Sequence, residues 1–129
     1  MKANELMIGD WVVYNGDVDY INPIKIEGMD IATGMCVTTD RDDVGFDGVW
    51  PIYLTAEILE KNGAWCEHNI GYVMEEGENE IIYDLFDHKL RILKNREQIL
   101  NLEYLWDEMC VHELQHALRL CNIEKEIEL

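Results

Sequence analysis

The chain is poor in positive charge. Ten Lys and Arg stand against 27 Asp and Glu, a formal net charge of −17 over 129 residues. A surface of that sign repels a phosphate backbone, which disfavours direct binding to DNA or RNA. It keeps a protein soluble, and it also suits an acidic mimic of nucleic acid that occupies a basic DNA-handling protein. Long apolar runs are missing too. None approaches the roughly 20 residues that cross a bilayer, so no membrane partner is expected. Met1-Lys2-Ala3-Asn4-Glu5 turns acidic at once, without the apolar core of a signal peptide, and points to the cytoplasm. There, Cys36, Cys66, Cys110 and Cys121 read as buried thiols rather than disulfides, and no two form a C-x-x-C pair. Proline is scarce, and Pro23 and Pro51 mark strand edges or turns. No glycine-rich phosphate loop exists, because Gly45-Phe46-Asp47-Gly48 precedes no Lys-Ser or Lys-Thr. Internal repeats, low-complexity segments and Pro/Gly/Ser linkers are also absent.

What is present is hydrophobic content, at 48% of residues, which argues against disorder. The length suits one compact domain, or a small one with two lobes, 1–54 and 55–129. In the first lobe, Gly9-Asp10 punctuates an apolar run and Trp11-Val12-Val13-Tyr14 favours a strand. Asn15-Gly16-Asp17 reads as a turn. Ile24-Lys25-Ile26-Glu27 alternates as a half-buried strand that Gly28 ends. Met35 to Thr39 is a third strand, with an acidic turn at Asp40-Arg41-Asp42-Asp43. A fourth runs through Val44-Gly45-Phe46 or Val49-Trp50. Short strands at this spacing predict a small curled antiparallel sheet. The opening, with Ile8-Gly9-Asp10-Trp11-Val12 on its first strand, resembles an SH3-like β-barrel.

In the second lobe, Thr55 is placed to cap a short helix, Ala56 to Lys61, that Asn62-Gly63 stops. Gly71 to Glu75, Glu80 to Phe86 and Lys89 to Lys94 then predict a three-stranded meander, with turns at Glu76-Gly77-Glu78-Asn79 and Asp87-His88. Residues 95–103 admit either a capping box, Asn95 with Gln98, or a last strand. A helix from about Tyr104 to Cys121 should pack on the meander. Its buried stripe would be Cys110, Val111, Leu114, Ala117, Leu118 and Cys121, with Trp106 and Leu120 beside it. Asn122 can end this helix, and Glu124 to Leu129 is an acidic tail. The fold class is therefore α+β: an N-terminal SH3-like β-barrel, a short helix, then an antiparallel β-meander packed on a C-terminal helix.

One motif carries chemistry. His112-Glu113-Leu114-Gln115-His116 spells H-E-x-x-H. Residues four apart share a helix face, so His112 and His116 are candidate metal ligands for one zinc ion. Glu113, one step round, is the candidate general base towards a zinc-bound water. That pattern describes a zinc-dependent hydrolase. A catalytic zinc normally takes a third protein ligand. Asn122 stands where a third histidine would follow, and His68 and His88 lie upstream without a recognisable spacing. The alternative reading places the two histidines, with Gln115 and Arg119, on a solvent face opposite the core.

Three stretches carry a family resemblance: Glu5-Leu6-Met7-Ile8-Gly9-Asp10-Trp11-Val12, Pro51 through Gly63, and Val111-His112-Glu113-Leu114-Gln115-His116-Ala117-Leu118. In these the chain resembles a group of small proteins of gut anaerobic bacteria and their phages or mobile elements, whose last motif reads Val-His-x-Leu-Gln-Asn. That pattern keeps His112, Leu114 and Gln115 and lacks the second ligand and the base. The resemblance implies a structural helix, no cofactor, no catalytic residue, and an accessory protein that works through a protein partner.

Overall fold

The computed structural model describes residues 7–14, 23–30, 32–39, 44–68, 70–103 and 109–129. The chain divides into two compact units, 1–52 and 53–129. Both are built on antiparallel sheets, and among the described residues the second adds two helices, so the class is α+β. No described helix is long and apolar enough to cross a membrane.

Unit 1 holds strands β1 (Trp11–Tyr14), β2 (Ile24–Asp30), β3 (Met35–Thr38), β4 (Val44–Gly45) and β5 (Val49–Pro51). Their order across the sheet is β4-β3-β2-β1-β5. The Gly9-Asp10 punctuation has a clear cause. Asp10 N–H donates to the Met7 carbonyl at 3.1 Å, Asp10 Oδ2 accepts from Met7 N–H at 2.7 Å, and Gly9 takes φ +94°. Asp10 is wholly buried and closes the turn that starts β1.

Gly28 does not end the second strand. The β2–β3 register shifts between Ile26 and Gly28, a β-bulge that bends β2 and lets it continue to Asp30. Both candidates for the fourth strand form, separated by a 3₁₀ turn at Phe46–Gly48. Val12, Ile24, Ile26, Cys36, Val44, Phe46 and Val49 make the core. Tyr14 Oη and Thr38 Oγ1 share a hydrogen bond of 2.7 Å at its margin. No described strand pairs β4 with β5, so the described pairs form an open sheet rather than the closed barrel expected. The turns at 15–17 and 40–43 lie outside the described residues.

Unit 2 opens with α1 (Ala56–Lys61), as its caps predict. Ile58 N–H donates to Thr55 Oγ1 at 3.3 Å. The helix ends in a Schellman motif: Ala64 N–H reaches the Leu59 carbonyl at 3.0 Å and Gly63 N–H the Glu60 carbonyl at 3.1 Å, with Gly63 at φ +92°. The meander is larger than expected. Strands β6 (Trp65–Glu67), β7 (Gly71–Glu76), β8 (Asn79–Asp84), β9 (Lys89–Lys94) and β10 (Glu97–Glu103) form one sheet in sequence order.

Of the two alternatives for residues 95–103 the strand forms, over Glu97–Glu103, because Asn95 and Arg96 both adopt positive φ, +50° and +69°, as a two-residue type I′ hairpin turn requires. Strand β8 stops at Asp84 rather than Phe86. The Asp84 carboxylate accepts from Phe86 N–H at 2.8 Å and from Asp87 N–H at 3.2 Å, which takes those amides into the turn.

Paired residues share a sheet face, so Tyr72-Tyr83-Leu90-Leu102 and Met74-Ile81-Ile92-Leu100 form two rows on one side. That side meets α1 and Met109, just before the second helix. Tyr72 Oη donates to Glu60 at 3.4 Å, and Met109 N–H donates to Tyr83 Oη at 3.4 Å.

The second helix, α2, runs Val111–Leu120 rather than from Tyr104. Leu54 N–H donates to the Met109 carbonyl at 2.9 Å, and Tyr53 bridges Cys110 in antiparallel fashion. Those bonds hold Met109 and Cys110 extended and make Cys110 the N-cap. Tyr104 and Trp106 lie outside the described residues. Asn122 ends α2 in a second Schellman motif at φ +58°, with Ile123 N–H on the Leu118 carbonyl at 2.8 Å.

Candidate functional site

The five residues of the H-E-x-x-H pattern all lie on α2, and each does something different. Val111, Leu114, Ala117 and Leu118 are buried as the wheel predicts. The opposite face is not solvent. His112 is 5% exposed and Gln115 only 7%, which corrects the expectation that both face water. On the Gln115 side the reason is the segment after the helix. Its amide donates to the Lys125 carbonyl at 2.8 Å and accepts from Ile127 N–H at 2.8 Å. Residues 123–129 are therefore not a loose acidic tail but a docked segment.

Glu113 is engaged at the helix start. Its Oε1 accepts from Cys110 N–H at 2.9 Å, the reciprocal half of a capping box, and its charge suits the positive helix end. A carboxylate held this way satisfies an otherwise orphaned donor.

His112 and His116 share a side, with ring centroids 5.5 Å apart and planes inclined at 72°. Two imidazoles on one zinc sit with centroids roughly 5 Å apart, from bond lengths of about 2 Å and a tetrahedral angle. The ring spacing, taken alone, is that of two corners of a zinc site. Among the described residues no group of three His, Cys, Asp or Glu stands close enough to hold a metal ion, so neither His68 nor His88 joins them. The residues fit half of the group and not the whole.

None of the four cysteines forms a disulfide, and Cys36 and Cys110 are buried. Burial pushes the Cys36 and Cys121 thiols above their ordinary range. Cys66 is exposed on β6.

Two features escaped the sequence reading. Asn62, read only as a helix stop, donates to the Ile58 and Glu128 carbonyls at 2.7 and 2.8 Å and accepts from Glu128 N–H at 2.7 Å. Lys61 Nζ adds a bond to the Leu129 carbonyl. A signal was present: Ile123, Ile127 and Leu129 stand at odd positions with a glutamate at each even one, a strand-like alternation interrupted only by Lys125. The other feature is the β8–β9 turn. Phe86 is 94% exposed on a backbone fixed by Asp84, beside an open depression of ≈ 280 Å³ lined by Asp87, His88, Lys89 and Glu103.

Compared with known proteins, the chain matches no family model, no curated protein and no solved structure.

Proposed function

We propose that this is a non-catalytic cytoplasmic accessory protein of phage or mobile-element origin that acts through protein contacts. The observation that carries the reading is the β8–β9 turn. It holds Phe86 94% exposed while the Asp84 carboxylate fixes the backbone on both sides of the ring's attachment. A preordered aromatic at a hairpin tip contributes nothing to its own core. It matches the aromatic anchors that dominate protein interfaces, and its backbone needs no further ordering on docking. The engagement of Glu113 in a helix cap and of Gln115 in a segment clamp supports a structural role for α2, as the family resemblance implies.

Unit 1 also suits a contact module. We read it as an SH3-like lobe. Support comes from a bent β2 shared between β1 and β3, a β1 flanked by β2 and β5, and a 3₁₀ turn leading into β5.

The test is a photo-crosslinking amino acid at position 86, with exposed Glu75 as the control position, in cells that carry the gene. A discrete adduct from position 86 and not from position 75 is expected. Identical patterns from both positions remove the reading.

A second reading, a zinc-dependent hydrolase with Glu113 as base, draws on the 5.5 Å spacing of the His112 and His116 rings and needs both a third ligand and a Glu113 released from its cap. It requires about one zinc per chain in protein purified without chelator, retained through dialysis and lost in His116→Ala. Zinc at background level in the unmodified chain ends it.

A further inference from the structure

The docking of residues 123–129 has the form of a peptide complex. Burial alternates along the segment: Ile123 and Ile127 are buried, Lys125 and Leu129 half-buried, and Glu124, Glu126 and Glu128 exposed. That is the alternation of an extended chain laid on a surface. Two side-chain amides hold its backbone. Gln115 takes the Lys125 carbonyl and the Ile127 N–H; Asn62 takes the carbonyl and the N–H of Glu128. These four bonds reach only main-chain atoms, so they read an extended backbone as a neighbouring strand would. Selectivity is left to the sites of Ile123 and Ile127, four residues apart. The segment leaves α2 through Asn122 at φ +58°, a left-handed conformation that asparagine tolerates, so a single residue is the pivot between helix and segment.

We propose that Asn62 and Gln115 form a peptide-binding groove, and that it accepts the 123–129 segment of a second copy of this chain in exchange for its own. The seated sequence identifies the occupant, because it satisfies all four backbone bonds made by Asn62 and Gln115. Nothing in those bonds depends on which chain supplies it, the condition for exchange of identical elements between protomers. Two terms oppose exchange. The resident segment competes at an effective concentration on the order of millimolar. A net charge of −17 makes copies repel, so exchange strengthens as salt screens that repulsion. The inference stands apart from the contact role given to Phe86.

The experiment is fluorescence anisotropy of a labelled synthetic peptide of residues 122–129 added to the full chain. Ile127→Asp weakens the resident segment without touching the groove. The peptide is expected to bind this variant about tenfold or more tighter than the unmodified chain, since a competitor has been removed. Adding Gln115→Leu to that variant should take the binding away. Equal binding to both chains, or binding that survives Gln115→Leu, overturns the proposal. Hydrogen exchange on the unmodified chain gives a test free of any folding defect. The Ile127 and Glu128 amides must exchange about a hundredfold faster than the slowest amides of β8 and β9, because the groove has to empty without global unfolding. Equal protection overturns the proposal as well.

Discussion

Asn62 holds both main-chain groups of Glu128, accepting from its N–H at 2.7 Å and donating to its carbonyl at 2.8 Å across 66 residues of sequence. The same amide closes on the Ile58 carbonyl, so the end of α1 and the 123–129 segment are tied through one side chain. Asn62→Ala removes three hydrogen bonds, one of them to a helix carbonyl. The expected loss is about 2–3 kcal/mol of unfolding free energy, measured by urea titration. Protection of the Glu128 amide should fall by more than that of the β8 amides, which a purely global effect would not do.

Glu113 separates capping from catalysis. Glu113→Ala should lower stability by about 0.5–2 kcal/mol, because Cys110 N–H loses its acceptor. Glu113→Gln keeps an acceptor of the same length and should retain most of the stability in a thermal melt. Equal destabilisation by both substitutions would show that the charge, not the capping bond, is what matters.

Gly71 begins β7 at φ +115°, and a Cβ there would lie 2.5 Å from the Tyr83 carbonyl oxygen and 3.1 Å from Asp84 Cα. Both neighbours are backbone of the adjacent strand and cannot turn away. Gly71→Ala is expected to destabilise unit 2 by about 2 kcal/mol or more, from strain and displaced sheet pairing. Circular dichroism during urea unfolding reads it.

Arg96 sits at φ +69° in the β9–β10 turn, where Asn95 already tolerates the left-handed conformation. Arg96→Gly completes the Asn-Gly pair favoured in such turns and should add about 0.5–1 kcal/mol. A lower urea midpoint would mean that the Arg96 side chain contributes more than its backbone strain costs.

The Tyr72 phenol titrates above its ordinary range, from desolvation first and then from the Glu60 carboxylate beside it. The phenol is neutral when protonated. The folded state therefore holds this proton more tightly than the unfolded one, and the contribution is intact below the ordinary tyrosine pKa. It is lost as pH rises through the folded value. Difference titration of the phenolate absorbance against Tyr72→Phe should show a midpoint above that of free tyrosine. Glu60→Gln should lower it. An unmoved midpoint would place the cause elsewhere.

The local signals were legible where one residue's chemistry settles one bond. Thr55, Gly63 and Asn122 marked helix ends because a hydroxyl acceptor or a tolerated positive φ acts within a few residues. The hairpin at Gly77 and the punctuation at Gly9-Asp10 belong to the same class. Asn95-Arg96 was ambiguous because arginine carries no turn signal, and only pairing with β9 holds it at positive φ. Strand β6 is short and exposed throughout, so its residues show no periodicity. Gly28 read as a terminus because a bulge and a stop look alike until a partner strand is present.

At the H-E-x-x-H helix, sequence determined the spacing: two imidazoles one turn apart, with Leu114 facing the core between them. It also determined the alternation in residues 123–129, with Glu124, Glu126 and Glu128 between Ile123, Lys125, Ile127 and Leu129. Tertiary structure alone decided what lies over the other face. A helix wheel assigns directions, but burial depends on what later chain returns to cover them. The returning segment is held by main-chain bonds from Asn62 and Gln115, and main-chain atoms are the same in every residue, so the sequence carries no mark of which amide will find them.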